Sequence, residues 1–447
     1  MSQDALWLKS PLAVLAEGAA GGVVVSGGRI VELVPGGGVP SVDCAVFDAS
    51  GHVVLPGLIN THHHFYQTLT RATPEALDKE LFPWLQALYP IWARLTTELL
   101  ESAVTVALTE LLLSGCTTTT DHHYVFPAGL EQAIDIEVAV ARRLGMRVVL
   151  TRGSMNLSQR DGGLPPDSVV QDEDTILADS VRLLDAYHEA GPFAMTQIAL
   201  APCSPFSVTT SLMKRTAELA ETRDVRLHTH LAETQDEAAF CEIRFGCTPL
   251  DYLEDCGWLS ERTWLAHGIH FSAADIRRLA RAGTTVTHCP CSNQVLGSGH
   301  CRVCEMELAG MKVGLGVDGS ASNNASNLMQ EVRAAFLVQR ARYGVEQVTP
   351  RDALRWATTG SAACVGRPEL GVIAAGAAAD FAMFKLDDLR FAGALDPLAA
   401  VVLCGAHRAD RVMVAGHWVV EDGAIPGLDL GAVIRRQTEA ALRLHTA

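Results

Sequence analysis

The chain has no apolar run long enough to cross a bilayer, which excludes a bundle of membrane-spanning helices. Its opening residues, Met1-Ser2-Gln3-Asp4, lack the basic stretch followed by an apolar one that marks a secretory leader, so a cytoplasmic location is expected. Basic charge is scarce. The 35 Lys and Arg stand against 51 Asp and Glu, a formal net charge of −16, which disfavours a polyanion as partner. Neither nucleic acid nor membrane is therefore expected to be bound. Charged residues make up only 19% and apolar ones 48%, the balance of a globular chain rather than a disordered one. A disulfide framework is also missing: the 12 cysteines are scattered through apolar segments of a long chain, which reads as reduced thiols. Cys289, Cys291, Cys301 and Cys304 do crowd together beside His300. The tight Cys-x-Cys spacing, and the place of Cys289 at the end of an apolar run, favour free thiols over a structural zinc there.

What the 447 residues do contain is an alternation of short apolar runs with long amphipathic stretches. Eight runs stand out: Leu58–His62, Thr117–Asp121, Arg147–Arg152, Thr196–Ala201, Arg226–Leu231, Thr263–His267, Thr284–Cys289 and Val313–Asp318. Between them lie helix-periodic segments such as Glu98–Ser114, stopped by Gly115. Eight strands alternating with helices predict an α/β fold, a parallel (β/α)8 barrel of the TIM type. Both ends are β-rich. Gly22–Val34 reads as two strands about a Gly-Gly turn, and Asp380–Phe384 and Val412–Val420 read as strands, the last turning at Gly416-His417. Pairing of these ends into one small composite sheet is expected, with a helical tail over Leu430–Leu444. The expected division is 1–57 and 371–447 for the terminal β-rich unit and 58–370 for the barrel.

Polar residues fall where a barrel places chemistry. His62, His64, Asp121, His230, His267 and Asp318 all lie at the C-terminal ends of their runs. Side chains alternate along a strand, so His62 and His64 share a face and His63 takes the other. With His230 and Asp318 they make a ligand set for one divalent ion, zinc first and ferrous iron as the other fit. Such an ion would bring the pKa of a bound water towards ~7. No lysine occurs between Lys79 and Lys214, so the fourth run offers no carboxylated lysine to bridge a metal pair, and a single divalent metal ion is expected. Glu233, three residues beyond His230, is placed to reach back over the ion and carry a proton. His267 is suited to polarise the attacked carbon's substituent or to steady the water.

These motifs, Pro56-Gly57-Leu58-Ile59-Asn60-Thr61-His62-His63-His64, His230-x-x-Glu233, Ala266-His267-Gly268 and Gly316-Val317-Asp318-Gly319, resemble the amidohydrolase superfamily, and within it the mononuclear aminohydrolases of purines, pyrimidines and s-triazines. The resemblance covers nearly the whole chain. It implies a distorted barrel with a β-sandwich built from both termini, and a homo-oligomer. Gln67, three residues after His64, is similar to the amide with which guanine deaminases read a purine edge, and Trp84 to their pocket tryptophan. The fourth-run proline is followed by Cys203-Ser204-Pro205-Phe206 rather than Arg-Phe, which removes a guanine contact and places Cys203 in the pocket. The His62–Arg71 run and Cys289-Pro290-Cys291-Ser292-Asn293 resemble bacterial 8-oxoguanine deaminases most, with hydroxy-triazine ethylaminohydrolases as close rivals.

The resemblance implies hydrolytic attack on C2 of the oxidised purine by a metal-activated water. Asp318 would accept the water's proton, Glu233 would protonate N3 and His267 would steady the adduct, releasing ammonia and urate. His123, or its neighbour His122, is the candidate contact to the 8-oxo group. Guanine, isocytosine and s-triazines remain alternative substrates. A barrel used only as a scaffold is the non-enzyme alternative, disfavoured by the retained ligand set.

Overall fold

The computed structural model describes residues 5–446; the Met1–Asp4 stretch read for a leader lies outside them. Eight parallel strands form one sheet in strict chain order. They are Leu58–Asn60, Cys116–His123, Arg147–Ser154, Thr196–Pro202, Leu227–Leu231, Thr263–His267, Thr285–His288 and Val313–Leu315. All eight expected runs are there. The sheet closes on itself because the Thr61 amide donates to the Leu315 carbonyl (2.9 Å) and the Asp318 amide to the His62 carbonyl (3.0 Å). That closure also explains why the first and last strands end early. Beyond Asn60 and Leu315 the chain leaves the pleat and bonds across the seam, carrying His62, His64 and Asp318 onto one rim.

Helices cover the barrel. Thr97–Leu113 starts at the Thr96 cap, whose hydroxyl accepts from the Leu99 amide, and Gly115 follows its end at φ +92°. The barrel strands are buried along almost their whole length, as parallel strands between a packed interior and a helical coat must be.

The two ends make two sheets rather than one. Ala13–Val14 and His52–Pro56 pair with Phe381–Lys385, Arg411–Val414 and His417–Val420 in the composite sheet. The hairpin Gly22–Ser26 and Arg29–Val34 joins Leu6–Lys9 and Ala45–Asp48 in a separate four-stranded sheet. Leu8, Val23, Val25, Ile30, Val54, Phe381, Met383 and Met413 fill the space between them, so the terminal unit is a sandwich. The last hairpin turns at Ala415-Gly416, one residue earlier than expected. Both central residues take positive φ (+49° and +82°), the backbone that a tight two-residue hairpin demands. The tail helix, Leu430–Thr446, packs on the barrel: Gln437 accepts from Ser102 Oγ (2.9 Å) and donates to Thr68 Oγ1 (3.1 Å). Among the described residues no helix is long and apolar enough to cross a membrane.

Candidate metal centre

The seam brings three imidazoles and one carboxylate together. His62 Nε2 and His64 Nε2 each lie 3.3 Å from Asp318 Oδ1, and His64 Nε2 lies 3.2 Å from His230 Nε2. The outer nitrogens of these rings are all engaged. His64 Nδ1 donates to the His122 carbonyl (2.7 Å) and His230 Nδ1 to the Cys203 carbonyl (2.7 Å). His62 Nδ1 lies 2.8 Å from His228 Nε2, while His228 Nδ1 donates to the Trp264 carbonyl (2.8 Å). Each bond fixes a tautomer and leaves a bare lone pair on the inner Nε2. Lone pairs that face one another across 3.2 Å repel unless a cation lies between them. Four ligands at ~2.0–2.1 Å in a tetrahedron stand roughly 3.3–3.4 Å apart, which is the spacing found here. His62 Nε2 is buried without a hydrogen-bond partner, as a ligand atom would be. The residues present therefore fit one divalent ion.

The electrostatics point the same way. Burial disfavours charge on Asp318, but the facing His62 and His64 hold its carboxyl well below the usual carboxylate range. Burial drives His62 well down and His230 to about 3, so both are neutral ligands near pH 7. His267 is pushed down to about 4, again by burial first. It faces Glu233 Oε2 at 3.4 Å through Nε2, and Asn293 Nδ2 donates to its Nδ1 (3.0 Å), which leaves the proton on Nε2. Burial, then the charges of Asp318 and Glu237, raises the Glu233 carboxyl well above its ordinary range. Glu237 in turn accepts the Ala232 and Glu233 amides, both at 3.0 Å, and so fixes the turn that aims Glu233 inward.

Backbone strain gathers at this rim. Ala232, His267 and Asp318 have φ of +55°, +73° and +62°, costing about 1–3 kcal/mol each. The fold tolerates this where the ligand and proton-carrying side chains must turn towards one point.

A small apolar pocket sits over the centre, lined by His64, Gln67, Trp84, Tyr124, Cys203 and Glu233 among others. Only about 30 Å³ is free, roughly one water and far less than a ligand ring needs. A larger cavity, about 740 Å³, lies among Gln197, Arg226, Thr285 and Lys312, at the opposite ends of the strands. It is far from the ligand set.

Of the residues singled out from the sequence, His62, His64, His230, Asp318, Glu233 and His267 converge at the centre, and Gln67, Trp84 and Cys203 line the pocket. His123 does not. It turns to the far side of its strand, towards Glu137, because strand alternation puts it opposite His122; Tyr124 takes the pocket place. Asp121 likewise faces away from the ligand set, its Oδ1 accepting the Phe65 amide (2.6 Å). His122 stacks on His230 with 4.7 Å between centroids, and its Nε2 donates to the Ala201 carbonyl (2.9 Å). Among the described residues, Cys289, Cys291, Cys301 and Cys304 form no three-ligand group. Sequence reasoning missed His228, Ser292, Asn293 and Glu237. His228 had a signal, since it precedes His230 by two, the spacing already noticed at His62 and His64, and Ser292 and Asn293 stood in the Cys289–Asn293 motif without an assigned role. Ser292 Oγ donates to Asp318 Oδ2 at 2.6 Å.

A closed parallel barrel with one such rim of histidines and an aspartate is a hydrolase scaffold, and the chain belongs to the amidohydrolase family, matched over residues 53–419. It is 61% identical to an 8-oxoguanine deaminase of Pseudomonas aeruginosa, covering 98% of both chains. It is 38% identical to a hydroxydechloroatrazine ethylaminohydrolase of a Pseudomonas species, covering 86% of this chain and 81% of that one. A zinc-bound atrazine chlorohydrolase of Arthrobacter aurescens superposes with a TM-score of 0.92 at 33% identity, over 98% of this chain and 100% of that one.

Proposed function

We propose that this amidohydrolase removes the 2-amino group of 8-oxoguanine hydrolytically, giving urate and ammonia. The supporting observation is the convergence of the fixed Nε2 lone pairs of His62, His64 and His230 on Asp318, with Glu233 and His267 beside them, in a chain 61% identical to an 8-oxoguanine deaminase.

His62, His64, His230 and Asp318 would hold the metal, zinc by likeness to the zinc-bound neighbour. When bound, it makes a water acidic enough to be deprotonated near neutral pH. Asp318 Oδ2, oriented by Ser292, takes the proton of the attacking water as oxygen bonds to C2. Glu233, whose carboxyl burial raises well above its ordinary range, delivers a proton to N3. His267 Nε2–H steadies the negative charge that develops on the adduct. Breaking C2–N then needs a proton on the leaving amine, which Asp318 returns, while the proton of the new C2 hydroxyl passes to Glu233, restoring that acid and leaving the C2 carbonyl of urate. Gln67, an amide with both donor and acceptor, reads the purine edge, and Trp84 covers the ring. Cys203 replaces a charged contact with a small thiol, leaving room on that side of the ring.

The twelve unpaired cysteines support a reducing compartment, the cytoplasm. Assembly into a homo-oligomer is part of the same reading and is tested by size exclusion. Ammonia release from 8-oxoguanine, guanine, isocytosine and hydroxy-triazines, measured side by side, tests the substrate. Highest kcat/KM on 8-oxoguanine is expected; turnover of a triazine with none of 8-oxoguanine would overturn the reading.

A further inference from the structure

The strand Cys116–His123 carries a second group of ligand atoms on its other side. Asp121 and His123, two residues apart, face the helix Ala133–Leu144 and meet Glu137. One ligand atom from each lies within 4.8 Å of the others, and His123 Nδ1 is 3.2 Å from Glu137 Oε1. All three side chains are fully buried. His123 Nε2 donates to the Val125 carbonyl (2.9 Å), so its Nδ1 presents a lone pair.

Asp121 Oδ2, both Glu137 oxygens and His123 Nδ1 have no hydrogen-bond partner among the described residues. Four potential acceptors thus face one another with no donor from the neighbouring residues. Burial pushes the Glu137 carboxyl up to about 8, against a smaller lowering by its interaction with Asp121. A proton held by Glu137 can serve Asp121 Oδ2, but it leaves the other Glu137 oxygen and His123 Nδ1 without a donor. One divalent cation satisfies all four acceptors at once and cancels both negative charges.

We propose that Asp121, His123 and Glu137 form a second, structural cation site, distinct from the catalytic centre, for a divalent ion that accepts nitrogen and oxygen ligands, such as zinc, manganese or ferrous iron. Asp121 Oδ1 already holds the Phe65 amide (2.6 Å), so an ion here would brace the turn that immediately follows His64. The site is closed to solvent, and the ion would be taken up as the chain folds.

The test is a metal count on purified protein by plasma mass spectrometry, joined to anomalous scattering from crystals. Wild-type should carry two equivalents per chain, with one anomalous peak between Asp121, His123 and Glu137. His230→Ala should lose the catalytic equivalent and keep the other. Glu137→Gln, isosteric and able to donate to the bare acceptors, should keep the catalytic equivalent and lose the second. One equivalent in wild-type, unchanged when the chain is expressed in medium supplemented with zinc or manganese, overturns the proposal in favour of shared protons. Two equivalents in both wild-type and Glu137→Gln also overturn it, since the extra ion then lies elsewhere. Should Glu137→Gln prove insoluble, the wild-type count and the anomalous peak decide. A wild-type protein that holds two ions yet deaminates no purine would sink the catalytic reading and leave this one standing.

Discussion

Two buried clusters lie on opposite sides of one strand, and each contains a pair of residues spaced by two. On the inner side His62 and His64 meet His230 and Asp318; on the outer side Asp121 and His123 meet Glu137. The inner ligands come from segments far apart in the chain. Each imidazole is held from behind by a carbonyl or another ring, and the cluster opens onto a pocket. The outer ligands come from one strand and the next helix, and all three side chains are fully buried. The chemistry of the donor set is similar, and the surroundings differ. The inner cluster is the one that also meets Glu233 and His267 and opens onto a pocket. Glu237 and Glu331 supply a third term: buried carboxyls whose oxygens accept from backbone amides or Asn323 and so need no cation.

The contrast can be broken most severely at Glu233. Glu233→Gln should leave the inner metal bound while lowering kcat by ~10²–10⁴-fold. An unchanged rate would remove its role as proton carrier, and loss of metal would make it a ligand instead. A smaller effect is expected behind the ligands. His228→Ala removes the partner of His62 Nδ1 and should weaken inner metal affinity by ~10–100-fold in a chelator competition, leaving the outer cluster untouched. Next comes the pocket wall. A Cβ on Gly319 would stand 1.8 Å from Gln67 Oε1, so Gly319→Ala must displace that amide. KM for the purine should rise about 3–10-fold with metal content unchanged, the worth of one hydrogen bond. The smallest effect sharpens the third term. Burial raises Glu237 and Glu331 to about 7, so the folded chain binds more protons than the unfolded one between about pH 4.5 and 7. Their contribution is complete below the unfolded pKa and is lost as pH rises through 7, on the order of 1–3 kcal/mol per group. Denaturant titrations across that range should show the decline, and Glu331→Gln should flatten part of it.

Much of the rim was legible because polar residues recur at the ends of apolar runs. Alternation placed His62 and His64 on one face, yet the strand stops at Asn60 and the pair is aimed by the bonds across the seam; Glu233 comes back over the centre through the turn at Ala232, beyond the end of its strand at Leu231. His123 shows where that reading falls short. The pattern says that His122 and His123 face opposite ways but not which way is inward, and the pocket went to Tyr124 and not to His123. The terminal hairpin Gly22–Val34 was legible as a hairpin, while its sheet was not: it pairs with Leu6–Lys9, which pairs with Ala45–Asp48, so these strands form a sheet of their own instead of joining the C-terminal strands. Glu237 left no trace, and Ser292 and Asn293 stood only inside the Cys289–Asn293 motif with no role attached, because their work is to hold other side chains and a polar residue carries no mark of what it will touch.

By itself the order of residues determined an eight-fold alternation, the periodicity of each segment and the chemical kinds of side chain at every strand end, because these depend only on local geometry. Tertiary structure alone decided which nitrogen of each imidazole is bare, which acids lack a donor and how little space remains above the centre. Those properties arise from distances between groups that the backbone brings together only when the barrel closes.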